Sequence, residues 1–276
     1  MTAPSAAMRR RPGGRGVVAV AAALLGAALV TWIVTAERMR GMDAGPGTDL
    51  GGLGWFLGVW VTMMAAMMLP SAAPMVLAVH RVSDERESRA AVAASVFVLG
   101  YLAAWAAFGL VAYGLFRAVD AGAPGFLSWD RQGPLVAGAA VAAAGVYQLT
   151  PLKRACLVRC RTPLHWVMHR WRAGLGGALA MGAEHGAWCL GCCWGLMLVL
   201  FALGVMSITW MAVVAALVFA EKVLPLGERL AGAIAVCLIG LGVWTALAPA
   251  SVPALTRPHA MAPMPAGDRS HDAMAR

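Results

Sequence analysis

The stretch Gly176-Gly-Ala-Leu-Ala-Met-Gly-Ala-Glu-His185-Gly-Ala-Trp-Cys189-Leu-Gly-Cys192-Cys193-Trp-Gly-Leu-Met-Leu-Val-Leu-Phe-Ala-Leu-Gly-Val205 is a near-continuous apolar run. It exceeds the roughly 20 residues that a bilayer-crossing helix needs. On a helix turning about 100° per residue, His185, Cys189 and Cys192 fall on one narrow stripe with Cys193 at its edge. Thiols and imidazole in the middle of an apolar helix face a bundle interior, because lipid cannot solvate polar or ionisable groups. Together they form a set of soft-metal or redox ligands, and this stripe is the candidate site.

The rest of the chain has the same character. Of its 276 residues 61% are hydrophobic and only 13% charged, with a mean hydropathy of +0.73, whereas soluble domains carry about a quarter charged residues. The expected fold class is therefore all-α, a polytopic transmembrane helical bundle. The net charge of +9 does not imply nucleic acid, since the basic residues gather between apolar segments, as the positive-inside rule places them. Six cysteines are too few for a disulfide-stapled secreted scaffold, and their clustering favours metal or thiol chemistry.

About seven spans are expected, at 17–35, 55–79, 91–116, 134–152, 176–204, 206–224 and 229–248. The first follows Arg9, Arg10, Arg11 and Arg15, but its apolar core is longer than the 7–15 residues of a signal h-region, which indicates a retained helix. One side of the bundle collects the N-terminal arginines, Arg81, Arg86, Arg89, the basic cluster within 153–172, Lys222 and Arg229. The other side collects Arg38, Arg40, Arg117 and Arg131 and little else before the tail. The expected orientation is therefore N-terminus in and C-terminus out. Residues 1–16 read as a basic cytoplasmic tail, 17–249 as the transmembrane domain and 250–276 as a disordered Pro/Ala/Met-rich tail. The tail's His259, Met261, Met264 and His271 could capture metal outside the cell, but a bland tail is the favoured reading.

Depth follows from the rise of about 1.5 Å per residue. With entry near Gly176, His185 lies roughly 14 Å in and Cys192 roughly 24 Å in. The second span contains Met63-Met-Ala-Ala-Met-Met-Leu-Pro-Ser-Ala-Ala-Pro-Met75. Met63, Met64 and Met67 share a face with Met68 beside it, and Met67 falls in the same layer as the thiols, about 18 Å from the outer surface. Thioether and thiolate together select Cu(I), with zinc second. Pro70 and Pro74 each remove a backbone donor, so a broken helix is expected there.

A third constellation is the basic cytoplasmic segment Pro151-Leu-Lys-Arg-Ala-Cys156-Leu-Val-Arg-Cys160-Arg-Thr-Pro163-Leu-His165-Trp-Val-Met-His169. Cys156 and Cys160 are one helical turn apart, as are His165 and His169, so either pair could chelate an ion from one face. Pro163 divides the segment. An interfacial amphipathic segment with Trp166 and Trp171 at the headgroups is the alternative. Glu184 points away from His185 toward another contact, Glu221 and Lys222 at a span end are explained by snorkelling, and Cys237 reads as core. No hydrolase, zincin, Walker or dinucleotide fingerprint is present, so an enzyme is not indicated.

The methionine-proline block, Tyr147-Gln-Leu-Thr-Pro-Leu-Lys-Arg-Ala-Cys156 with Cys160, His185-Gly-x-x-Cys-x-Gly-Cys-Cys-Trp194 and Glu221-Lys-Val-Leu-Pro225 together resemble a bacterial integral membrane family described as predicted metal-binding, domain of unknown function 2182. The resemblance spans roughly residues 55–248. It implies metal binding by His185, Cys189, Cys192, Cys193, Cys156, Cys160, Met63, Met64, Met67 and Met68.

The expected function is therefore a multi-pass protein of the bacterial cytoplasmic (inner) membrane that handles or transports a soft metal ion, Cu(I) first. The bilayer and a soluble metal-delivery protein are its expected partners. A membrane thiol-disulfide oxidoreductase using Cys189 and Cys192 is one alternative. A structural or assembly subunit whose cysteines only pack is another.

Overall fold

The computed structural model describes residues 14–39, 51–86, 89–122, 133–203, 208–225 and 227–252. The readings of the first arginines and of the C-terminal tail lie outside these residues. The described chain is all-helical: α1 (Gly14–Met39), α2 (Leu53–Arg86), α3 (Ala90–Gly122), α4 (Gly133–Gln148), α5 (Pro151–Arg161), α6 (Pro163–Arg170), α7 (Gly174–Leu203), α8 (Ile208–Val223) and α9 (Gly227–Leu247), closed by a 3-10 turn at Pro249–Ser251.

Five of these helices, α1, α2, α3, α7 and α9, are long and apolar enough to cross a membrane, and α4 with α5 would form a sixth, bent by 65°. The sequence suggests about seven spans; α8, at 16 residues, is shorter than a full crossing. Large apolar side chains such as Leu25, Leu29, Leu99, Val111 and Val236 point outward, which is compatible with a lipid-facing surface.

Local chemistry sets the breaks. α4 ends where Thr150 caps α5: its hydroxyl donates to the Tyr147 carbonyl at 2.8 Å and accepts from the Lys153 amide at 3.3 Å. Pro151 and Pro163 occupy the first turns of α5 and α6, where a missing N–H costs nothing. The two prolines of α2 behave differently from expectation. The helix runs unbroken through Pro70 and Pro74, with the Ser71 hydroxyl turned back onto the Met68 carbonyl at 3.0 Å. Membrane helices tolerate proline where neighbouring groups take up the freed backbone.

α7 is the centre of the bundle. Its glycines meet α3 with no side chain between them: a methyl group at Gly186 would lie 2.7 Å from Ala104 Cβ, and one at Gly182 would overlap the Phe97 carbonyl. Small residues of this kind let helix backbones approach closely in membranes. α4 also packs along α7 and α9, α5 lies across α7, α6 covers α2, and α1 packs along α2. Two buried cores result. One contains Met63, Met64, Met67 and Met68 of α2 and all the cysteines of α5 and α7; the other lies between α1, α2, α3, α6 and the start of α7.

Candidate metal centre

Three thiols of α7 converge. The sulfurs of Cys189, Cys192 and Cys193 all lie within 4.8 Å of one another, and each residue is buried. Residues 189 and 193 are one turn apart, which puts their Sγ atoms 4.0 Å from each other. The thiols of Cys192 and Cys193 both donate to the Cys189 carbonyl, at 3.1 and 2.9 Å. This bonding turns the two side chains back toward Cys189 within a single turn of helix.

α5 adds a fourth sulfur. Cys160 Sγ is 3.7 Å from Cys192 Sγ, far beyond the roughly 2.05 Å of a disulfide, and all five buried cysteines are free. Cys156 lies one turn earlier against the backbone of Gly191, where an added methyl would come within 2.6 Å of its sulfur. Lys153, Cys156, Leu157 and Cys160 form the buried stripe of α5. The segment read as a separate cytoplasmic constellation therefore docks its thiol face onto α7. Its Cys and His pairs do not form one four-ligand group: His165 and His169 are exposed on α6. Trp166 is not a headgroup anchor. It is buried, and its ring meets that of His185 edge-on at 5.5 Å.

Beside the sulfurs stands a cation that the sequence reading passed over. Lys222 Nζ lies 2.9 Å from Cys189 Sγ and 3.4 Å from Ser71 Oγ, and the residue is buried. The Tyr101 hydroxyl is also 2.9 Å from Cys189 Sγ. Adjacent residues on a helix point about 100° apart, so Glu221 reaches a different partner. It pairs with Lys153 at 2.6 Å, both side chains being almost wholly buried, and Gln148 bonds to both. Snorkelling to the surface does not describe either residue. The signal that could have found them was an ionisable pair at the end of an apolar run, which in a membrane marks a functional position by default.

Arg161 fastens this end of the site by donating to the carbonyls of Glu221 at 2.5 Å and Pro225 at 3.2 Å. Tyr147 holds α4 to α7 through a hydrogen bond from its hydroxyl to the Gly191 carbonyl.

His185, one turn before Cys189, is not in the three-thiol group. Its ring is enclosed by Phe97, Tyr101 and Trp166 at 5.9, 5.9 and 5.5 Å, and its Nδ1 has no hydrogen-bond partner. Met63, Met64, Met67 and Met68 are fully buried in the same core as the thiols. Glu184 turns outward, as its position on the helix requires, and pairs with Arg170 and Arg172 at 3.5 and 3.3 Å. Cys237 is exposed rather than core.

This site gathers buried thiol sulfur beside a lysine side chain, a donor set that suits a soft cation once the thiols are deprotonated. Residues 57–245 match the PpoB2 family, described as a copper chaperone. The chain belongs to the PpoB2 copper-chaperone family. That membership agrees with the metal-binding character of the resemblance drawn from the sequence, although the matching family is not designated domain of unknown function 2182. No curated protein and no solved structure matches the chain. The PpoB2 match takes in every candidate ligand from Met63 to Cys193 together with Glu221 and Lys222, and leaves α1 and the C-terminal tail outside. Copper handling is thus supported both by PpoB2 membership and by the three-thiol group.

Proposed function

We propose that the chain is a multi-pass protein of the bacterial cytoplasmic membrane that holds Cu(I) between the thiols of Cys160, Cys189, Cys192 and Cys193 and passes it on. The observation that carries this reading is the convergence of sulfurs from two helices around a buried lysine. Two thiolates around a monovalent ion leave one net negative charge. A buried charge is tolerated when it is paired, and the Lys222 ammonium supplies the opposite sign within contact distance of Cys189. Thioether sulfur from α2 lies in the same core and suits the same ion. His185 stands one turn away with a free ring nitrogen, and acts as an auxiliary position rather than a member of the group.

Ligation requires loss of the thiol proton, so copper held here is released as the medium is acidified. Burial of all four sulfurs keeps them from the exposed disulfide exchange that an oxidoreductase working on protein substrates needs.

The test is elemental analysis of the purified full chain. A Cys189→Ser, Cys192→Ser double variant is expected to lose its bound copper, whereas His185→Ala retains it. Unchanged copper stoichiometry in the double variant would overturn the assignment.

A further inference from the structure

The pair His165 and His169 takes no part in the thiol site, yet it is built like a ligand pair. The two residues are one turn apart on α6, and their rings stand 4.1 Å apart with planes inclined by 30°. Both are exposed, while Trp166 and Val167 on the other side of the same short helix are buried. His169 Nδ1 lies 2.8 Å from the His165 carbonyl oxygen. A carbonyl can only accept, so Nδ1 carries the proton and Nε2 keeps its lone pair on an exposed residue. Ligating histidines are oriented in this way, with the second ring nitrogen donating to a backbone carbonyl or carboxylate. Histidines four residues apart on one helix face are also the arrangement by which a single helix chelates a metal ion.

The surroundings do not claim these rings for another purpose. The neighbouring carboxylate, Glu184, is engaged by Arg170 and Arg172, and among the described residues neither histidine enters an ion pair. The flanking arginines are about half exposed, which places this end of α6 at an aqueous boundary.

We propose that His165 and His169 form a second, surface copper-binding site on α6, distinct in ligand chemistry from the buried thiols. Imidazole binds copper with less softness than thiolate, so this site is the weaker of the two and is open to exchange with a soluble donor or acceptor. α6 joins the two sites in space. Its outer face carries the histidine pair, and its inner face, through Trp166, covers the ring of His185 one turn from Cys189.

The inference does not require the thiols to be ligands. The full chain in lipid nanodiscs is titrated anaerobically with Cu(I) against a chromophoric Cu(I) chelator. Two classes of site are expected. The weaker class should lose affinity by about a hundredfold, the advantage of a second linked ligand, in His165→Ala and in His169→Ala separately. The tight class should be unchanged in both, and their thermal transitions should match the parent, since both side chains are exposed. A titration in which no class of site loses affinity in either histidine variant overturns the surface site. A weaker class lost with the histidines, alongside a tight class indifferent to Cys189→Ser, Cys192→Ser, would uphold the surface site and overturn the thiol assignment.

Discussion

α5 and α6 are consecutive short helices, each carrying two candidate metal ligands four residues apart, and the two pairs end in opposite environments. Cys156 and Cys160 are buried against α7, whereas His165 and His169 face outward. Four-residue spacing puts a pair on one face but does not say which face is turned inward; the neighbours decide. On α5 the cysteines share their stripe with Leu157 and with Lys153, whose charge is answered by Glu221. On α6 the apolar residues Trp166 and Val167 lie off the histidine face and take the core side themselves.

The contrast is most sharply broken by removing the anchors. Lys153→Met leaves the buried carboxylate of Glu221 without its cation and is expected to cost about 3–5 kcal/mol. Trp166→Ala empties a buried indole and costs a similar about 3–5 kcal/mol. Both should lower the thermal unfolding transition of the full chain in detergent by many degrees, and a transition within a degree or two of the parent would mean that the buried stripe of α5 or the inner face of α6 is placed wrongly.

A smaller effect separates charge from packing at the thiols. Lys222→Met keeps the length of the side chain but removes the cation 2.9 Å from Cys189 Sγ. Copper affinity is expected to fall by about 10–100-fold, the usual cost of losing a group that supports a ligand. Competition titration reads this directly, and an unchanged affinity would remove Lys222 from the site. The smallest effect belongs to the exposed side of the comparison. Arg172→Ala deletes a half-exposed ion pair with Glu184 and should change stability by no more than about 1 kcal/mol.

Much of this molecule is legible in its sequence because α7 announces itself: length, apolarity and the placement of Cys189 and Cys192 follow from helical geometry alone. Angular position is nevertheless a property of one helix, while a site belongs to several. His185 shares the stripe yet sits one turn away among aromatic rings, whereas Cys193, at the stripe's edge, joins the thiols because its side chain turns back to the Cys189 carbonyl. The docking of α5 was hidden for a related reason. Lys153 and its neighbouring arginines look like a cytoplasmic basic cluster until Glu221 is placed beside Lys153. Glu221 and Lys222 likewise resemble a snorkelling pair until α8 lies against α5 and α7. Pro70 and Pro74 suggest a break because proline lacks its own donor, yet the helix continues through them.

The contact of α7 with α3 through Gly182 and Gly186 has a mechanical consequence. At Gly182 and Gly186 the main chain of α7 lies directly against the main chain of α3 and the methyl of Ala104, so sliding or turning there meets atoms that cannot give way. The sulfurs of Cys189, Cys192 and Cys193 are therefore carried on a stationary wall. α5 and α8 meet that wall through Cys160 and Lys222, so where the fourth sulfur and the ammonium stand depends on how those two helices seat against α7.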